Sequence, residues 1–444
     1  MEAFLVILCV FVFLAREAAA KGGTVLPLRV RVQEVEAPAA NRLRFRHNIS
    51  LTVPVAVGTP PQNVTMVLDT GSELSWLLCN GSSYATPPSP PAFNASGSSS
   101  YGAIPCPSPA CKWRGRDLPV PPSCDTPPSN TCRVSLSYAD ASSAEGILAA
   151  DTFLLGGASP VSAYFGCITS YSSTTSSSTT TNDTSSEAAT GLLGMNRGAL
   201  SFVTQTRTRR FAYCIAAGDV PGVLLLGDDG GVAPPLNYTP LITIPQPLPY
   251  FDRVAYSVQL DGIRVGAALL PIPKSVLAPD HTGAGQTMVD SGTQFTFLLA
   301  DAYAALKAEF TSQAQARQLL SPLGEPGFVF QGAFDACFRG AEASVAAASA
   351  LLPEVGLVLR GAEVAVAGEK LLYMVPGERR GEGEDEEAVW CLTFGNSDMA
   401  GVSAYVIGHH HQQNVWVEYD LQNGRVGFAP ARCDLATQRL GAAA

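Results

Sequence analysis

Two stretches of this chain, 221 residues apart, share one build. Met66-Val67-Leu68-Asp69-Thr70-Gly71-Ser72-Glu73-Leu74-Ser75-Trp76-Leu77-Leu78 is an apolar run that breaks at an acidic, glycine-containing turn and then resumes. Thr287-Met288-Val289-Asp290-Ser291-Gly292-Thr293-Gln294-Phe295-Thr296-Phe297-Leu298-Leu299 does the same. With Asp69 laid on Asp290 (290 − 69 = 221), Gly71 falls on Gly292, Ser72 on Thr293, Leu74 on Phe295 and Trp76 on Phe297. A second mark follows each. Leu192-Leu193-Gly194 ends 125 residues after the first acid (194 − 69), and Val406-Ile407-Gly408 ends 118 after the second (408 − 290). So long a period excludes a solenoid. It predicts two related lobes, each presenting one carboxylate where a buried strand meets a turn.

The 444 residues are 46% apolar, enough for a large core, and the length admits two or three domains. Only 15% are charged, while Gly (41) and Pro (33) are abundant, which fits an all-β chain with many turns. A net charge of −10 argues against nucleic acid or an anionic membrane as partner. Phe4 to Leu14 is apolar, too short to span a bilayer, and followed by Ala18-Ala19-Ala20. It reads as a secretory signal peptide over 1–20, despite Glu2 and no basic residue ahead of the run. Beyond Cys9 there are ten cysteines, an even count that indicates disulfides in an oxidising compartment. Spacing alone leaves their connectivity open. Sequons at Asn48, Asn63, Asn80, Asn94, Asn182 and Asn237 point the same way, to glycosylation along the secretory route. The expected location is extracellular, with the ER or vacuole as alternatives.

Residues 21–48 are short and basic and read as a prosegment. The first lobe is expected over 49–240, the second over 241–436, with a tail at 437–444. From Ile49 the alternation of Leu51, Val53, Val55 and Val57 predicts a half-buried strand. Residues 80–131 are rich in Pro, Ser, Gly and Cys and read as disulfide-stapled loop. Arg133–Tyr138 and Ile147–Leu155 form a hairpin around the small residues of 139–146. The Ser/Thr-rich run 170–186 reads as a polar insertion without packing. Pro234–Pro249 reads as the crossover between lobes, Asp301–Ala314 as a helix, and 378–387 as a charged surface loop. The run His409-His410-His411 invites a metal reading, but alternation along a strand would split its rings between two faces. No metal or other cofactor is expected.

The pair Asp69-Thr70-Gly71-Ser72 and Asp290-Ser291-Gly292-Thr293, each with its apolar-apolar-Gly mark, resembles the two active-site loops of pepsin-like aspartic proteases. Residues 49–434 as a whole look like the plant, nepenthesin-like branch. The resemblance implies an all-β, bilobal fold with a few short helices, a central cleft and an aspartic endopeptidase acting as a monomer on protein or peptide substrates. It implies Asp69 and Asp290 as the catalytic pair, Thr70 and Ser291 locking the loops across the lobe boundary, and Ser72 and Thr293 on the outer carboxylate oxygens. Tyr138 and Asp140 match the flap, and Trp76 its partner. Ala139 and Ala141 stand where the branch carries flap glycines. The implied disulfides are Cys79–Cys167, Cys106–Cys132, Cys111–Cys124, Cys214–Cys433 and Cys337–Cys391.

The residues themselves support that chemistry. Two carboxylates within about 3 Å cannot both ionise comfortably, so they share a proton. The ionised one can deprotonate a water, and the neutral one can hydrogen-bond a scissile carbonyl. Glycine after each acid permits a tight turn, and flanking hydroxyls satisfy carboxylate oxygens. Activity in acid follows. The rivals are a protease-like inhibitor without turnover and a peptide-binding protein using the same cleft.

Overall fold

The computed structural model describes residues 23–32, 49–80, 91–125, 129–139, 141–172, 189–218, 220–325, 327–381 and 386–441. The signal-peptide reading, Asp140, Asn48, Asn182 and most of the Ser/Thr-rich run lie outside them.

An antiparallel sheet joins the two halves of the chain. Its strands run Asn237–Pro240, Arg425–Pro430, Val415–Asp420, Arg210–Cys214, Gly222–Leu226 and Thr24–Val32 in spatial order. Residues of the last hundred positions thus pair with residues near 212: Phe211 lies opposite Tyr419, and Tyr213 opposite Val417. Large side chains fill the space above this layer. The Phe211 and Tyr419 rings stack 4.5 Å apart, and Tyr256 and Tyr419 lie at 4.3 Å. Burial of each such ring contributes roughly 2–3 kcal/mol.

The Thr24–Val32 strand continues from this layer into the first lobe. Its first residues pair with Gly222–Leu226, and Arg29–Val32 pair with Ile49–Thr52. Leu26 and Leu28 are buried. Thr24–Val32, within the stretch read as a prosegment, is a strand of the sheet, and the alternation of Leu26 and Leu28 gives it one apolar face. Residues 33–48 lie outside the description.

In the first lobe, Gln62–Asp69 pairs antiparallel with Ile49–Val57 and parallel with Gly191–Gly194. In the second, Thr287–Val289 pairs parallel with Tyr405–Ile407. In both, the apolar-apolar-Gly strand also pairs antiparallel with the strand following the acid, Leu192 opposite Trp76 and Val406 opposite Phe297. The duplication read from sequence is therefore a duplication of topology.

The hairpin forms from Cys132–Ser137 and Ser143–Leu154, and the helix from Ala300–Ala316. The crossover is shorter than expected, because Asn237–Pro240 joins the shared sheet. Two disulfides differ from the expected pairing. The bridges are Cys106–Cys124 and Cys111–Cys132, alongside Cys79–Cys167, Cys214–Cys433 and Cys337–Cys391. The reason is local. Cys124 and Cys132 sit opposite each other on neighbouring strands, and each bonds a cysteine outside that pair. The helical turn Pro109–Lys112 carries Cys111 to Cys132, and Cys106 lies against Ser123–Cys124.

Candidate active site

Val64, Met66 and Leu68 put one face of the Gln62–Asp69 strand into the core, and Asp69 ends it at 8% exposure. From there the two acid loops cross-brace. The Thr70 amide donates to Ser291 Oγ at 3.0 Å, and the Ser291 amide to Thr70 Oγ1 at 2.9 Å. Each hydroxyl passes its own proton on, Ser291 Oγ to the Leu68 carbonyl at 2.9 Å and Thr70 Oγ1 to the Val289 carbonyl at 3.4 Å. All four groups are buried, where an unmet donor or acceptor would cost about 1–3 kcal/mol.

The carboxylates are held in parallel fashion. Asp69 Oδ1 accepts the Gly71 amide at 2.8 Å, and Asp290 Oδ1 accepts the Gly292 amide at 2.8 Å. The other oxygens accept hydroxyls, Ser72 Oγ on Asp69 Oδ2 at 2.5 Å and Thr293 Oγ1 on Asp290 Oδ2 at 2.6 Å. The glycines also make room for the opposite acid. A Cβ on Gly71 would lie 2.9 Å from Asp290 Oδ1, and one on Gly292 2.3 Å from Asp69 Oδ1. Each acid thus packs on the backbone of the other loop. Burial, and then the charge of Asp290, raise Asp69 well above the usual carboxylate range, against the Ser72 hydroxyl and the Gly71 amide.

Two further hydroxyls hold the strands beneath. Ser75 Oγ accepts the Gly194 amide at 3.0 Å, and Thr296 Oγ1 accepts the Gly408 amide at 3.2 Å. Both stand six positions after their acid (75 − 69, 296 − 290), so the aligned repeats carried the signal. Below Asp290, Gln412 Nε2 donates to the Asp290 carbonyl at 3.3 Å and its Oε1 accepts from Tyr213, whose hydroxyl lies 3.0 Å from that of Tyr419. These three had no counterpart in the repeat.

The acids open on a cleft of about 800 Å³ between the lobes. The hairpin brings Tyr138 over it, and Trp76 Nε1 donates to the Tyr138 hydroxyl at 2.6 Å. Ala141 closes the hairpin tip with φ +63°. Asn63, Asn80, Asn94 and Asn237 are all exposed on the outer surface. His409–Gln412 is a short 3-10 turn rather than a strand, which corrects the geometry expected there. The rings are nonetheless separately engaged: His409 near the Ile49 carbonyl, His410 near that of Lys370, and His411 between Thr296 and Thr393. Among the described residues, the only metal-like group is Cys106, Cys111 and Cys132, whose sulfurs are bound in disulfides.

Comparison with known proteins agrees with this arrangement. Residues 52–228 match the family model for the xylanase inhibitor N-terminal domain, and 255–430 that for its C-terminal domain. The chain is 53% identical over 421 residues to aspartic proteinase PCS1 of Arabidopsis thaliana, covering 94% of this chain and 89% of the relative. It is 30% identical to aspartic proteinase nepenthesin-2 of Nepenthes gracilis, covering 85% and 77%. The crystal structure of basic 7S globulin from soybean superposes with a TM-score of 0.59 at 19% identity, over 93% of this chain and 97% of that one, and that of edgp with 0.61 at 19%, over 94% and 96%.

Proposed function

The chain belongs to the plant pepsin-like aspartic proteases, and we propose that it hydrolyses peptide bonds in acid with a water activated between Asp69 and Asp290. It is an aspartic-type endopeptidase by kinship. The observation that supports the mechanism is the reciprocal packing of the acids, each accepting backbone amide and hydroxyl bonds from its own loop, two amides and one hydroxyl on Asp69 and one of each on Asp290. Those bonds leave the pair to share a proton. The ionised carboxylate takes a proton from water, and the neutral one hydrogen-bonds the peptide carbonyl. The tetrahedral adduct then collapses as a proton passes to the leaving nitrogen. Ser72 and Thr293 hold the carboxyl planes while the proton moves.

The family models carry the description of an inhibitor, which gives the silent-scaffold reading its weight. The complete set of two acids, four hydroxyls and two glycines favours turnover, since a silent scaffold needs none of them. Five disulfides suit an oxidising compartment and support a secretory route for the protein. The test is cleavage of an unfolded protein between pH 3 and 7 by wild type and by Asp290→Ala. Wild-type cleavage that falls at least about 10³-fold in the variant is expected. Equal cleavage by both, or none by either, overturns the mechanism.

A further inference from the structure

The two acid loops differ in what holds the acid's own carbonyl. In the first half, the Met195 amide, next after Gly194, donates to the Asp69 carbonyl at 2.8 Å, and the Asn196 amide to the Ser72 carbonyl at 3.1 Å. In the second half, the His409 amide, next after Gly408, goes to the Thr293 carbonyl at 2.8 Å. The Asp290 carbonyl is met instead by a side chain, Gln412 Nε2 at 3.3 Å. The same nitrogen donates to the Ile407 carbonyl at 2.8 Å, and that carbonyl also accepts the Asp290 amide at 3.1 Å.

Gln412 is fully buried in the turn His409–Gln412. Two carbonyls in front of its nitrogen fix the orientation of the side-chain amide, so Oε1 needs a donor from the other side. The Tyr213 hydroxyl supplies it. With that proton committed, the Tyr419 hydroxyl, 3.0 Å away, donates to the Tyr213 oxygen. It also lies 3.5 Å from the Val289 carbonyl, which Thr70 Oγ1 approaches at 3.4 Å. Both tyrosines are fully buried, on the strands Arg210–Cys214 and Val415–Asp420 of the shared sheet. A single chain of polar contacts thus joins that sheet to two successive carbonyls of the second acid strand, those of Val289 and Asp290. None of the three residues lines the cleft. Apolar side chains of the same shape would fill this space at little cost, but they could not hold those carbonyls.

We propose that Gln412, Tyr213 and Tyr419 are positioning residues for the reaction: they fix the backbone of Asp290 to the shared sheet and so set where its carboxylate stands against that of Asp69. The inference rests on the protease reading and adds residues to it. A reacting group misplaced by about 1 Å can lose about 10²-fold in rate. Substrate contacts come from the cleft walls, so binding is spared. The first acid needs no such device, because Met195 holds its carbonyl through the main chain. The dependence is therefore one-sided and falls on Asp290.

The test compares variants on one oligopeptide at pH 4. Tyr213→Phe removes the donor to Gln412 Oε1, and Gln412→Leu removes the whole link. Each is expected to lower kcat about 10–100-fold, with KM within about twofold of wild type. Gln412→Glu recovers part of the loss, since a protonated carboxyl donates to one carbonyl and accepts from Tyr213. Tyr303→Phe is the control. It deletes a buried hydroxyl that donates to Asp335 on the helix side of the second lobe, and leaves kcat unchanged. Hydrogen exchange reads the network without turnover: Tyr213→Phe speeds exchange over residues 287–293 and leaves 66–72 as in the wild type. A wild type that cleaves nothing, with this one-sided exchange, refutes the protease reading while the hold on Asp290 stands. An unchanged kcat in both variants, a rise in KM in its place, or a Gln412→Glu no faster than Gln412→Leu overturns the proposal. So does exchange that is unchanged, or that quickens equally in both segments.

Discussion

Asp69 and Asp290 take their properties from short words of sequence, and the hydroxyls at the second and fourth places of those words do what their positions suggest. Ala141 is a different case. It sits at φ +63°, a region that costs an L-residue with a Cβ about 1–2 kcal/mol. The Tyr138 carbonyl accepts its amide at 3.0 Å, and the Tyr138 amide reaches Ser142, so the turn holds it there. Ala141→Gly is expected to raise stability by about 1 kcal/mol, and Ala141→Val to lower it by more, read as urea midpoints at constant m-value. What the residues revealed in sequence follows the same division. Acids, glycines and hydroxyls were legible because each lies within a contiguous, twice-written word. Glu73 was not, since its counterpart is Gln294 and its partner Leu200 is 127 residues away. Tyr213 and Gln412 were hidden for the same reason, being joined only by the fold.

Among the elements, alternation identified the Ile49–Val57 strand and the hairpin of Cys132–Ser137 and Ser143–Leu154, and spacing identified the helix Ala300–Ala316. The Thr24–Val32 strand was missed because its arginines at 29 and 31 outweighed two leucines in a segment that looked basic and short. Two sheets depend on it. Its removal would expose Leu26 and Leu28, about 2 kcal/mol each in lost burial, and leave Leu224 and Leu51 on open edges. A chain beginning at residue 33 should therefore melt well below one beginning at residue 23. A synthetic peptide of residues 23–32 should restore part of the difference when added in excess. Identical melting curves for the two chains would contradict the strand's role. The disulfide exchange shows the opposite limit of sequence reading: four cysteines within 27 residues (132 − 106 + 1) can close in more than one way, and a single helical turn at Pro109–Lys112 decides it.

At the scale of the molecule, buried titrating groups oppose each other. Glu73 ionises at about 7 when folded against a reference of 4.5, so its contribution is full below 4.5 and is lost as pH rises through 7, by about 3 kcal/mol. His410, held neutral by burial, ionises at about 4 against a reference of 6.5. Its contribution is full above 6.5 and declines as pH falls toward 4, again by about 3 kcal/mol. Burial keeps His411 well below its ordinary value, in the same direction. Between about pH 4.5 and 6.5 the Glu73 and His410 slopes are opposite and of similar size, so the two nearly cancel there. Unfolding by urea from pH 3 to 9 checks this, with Glu73→Gln expected to make stability rise with pH more steeply across that window than in the wild type.

The bond between Cys214 and Cys433 gives the chain a second continuity. It ties the sheet strand Arg210–Cys214 to the closing helix Cys433–Arg439, while the exposed Gln246 and Pro247 lie on the polypeptide path between. A nick there severs the backbone but not the molecule. The fragments stay covalently joined, and the Thr70–Ser291 brace, which spans the two fragments, keeps both acids in register. The protein is in effect a ring closed through sulfur, and one that has been cut once remains a single particle until it meets a reductant.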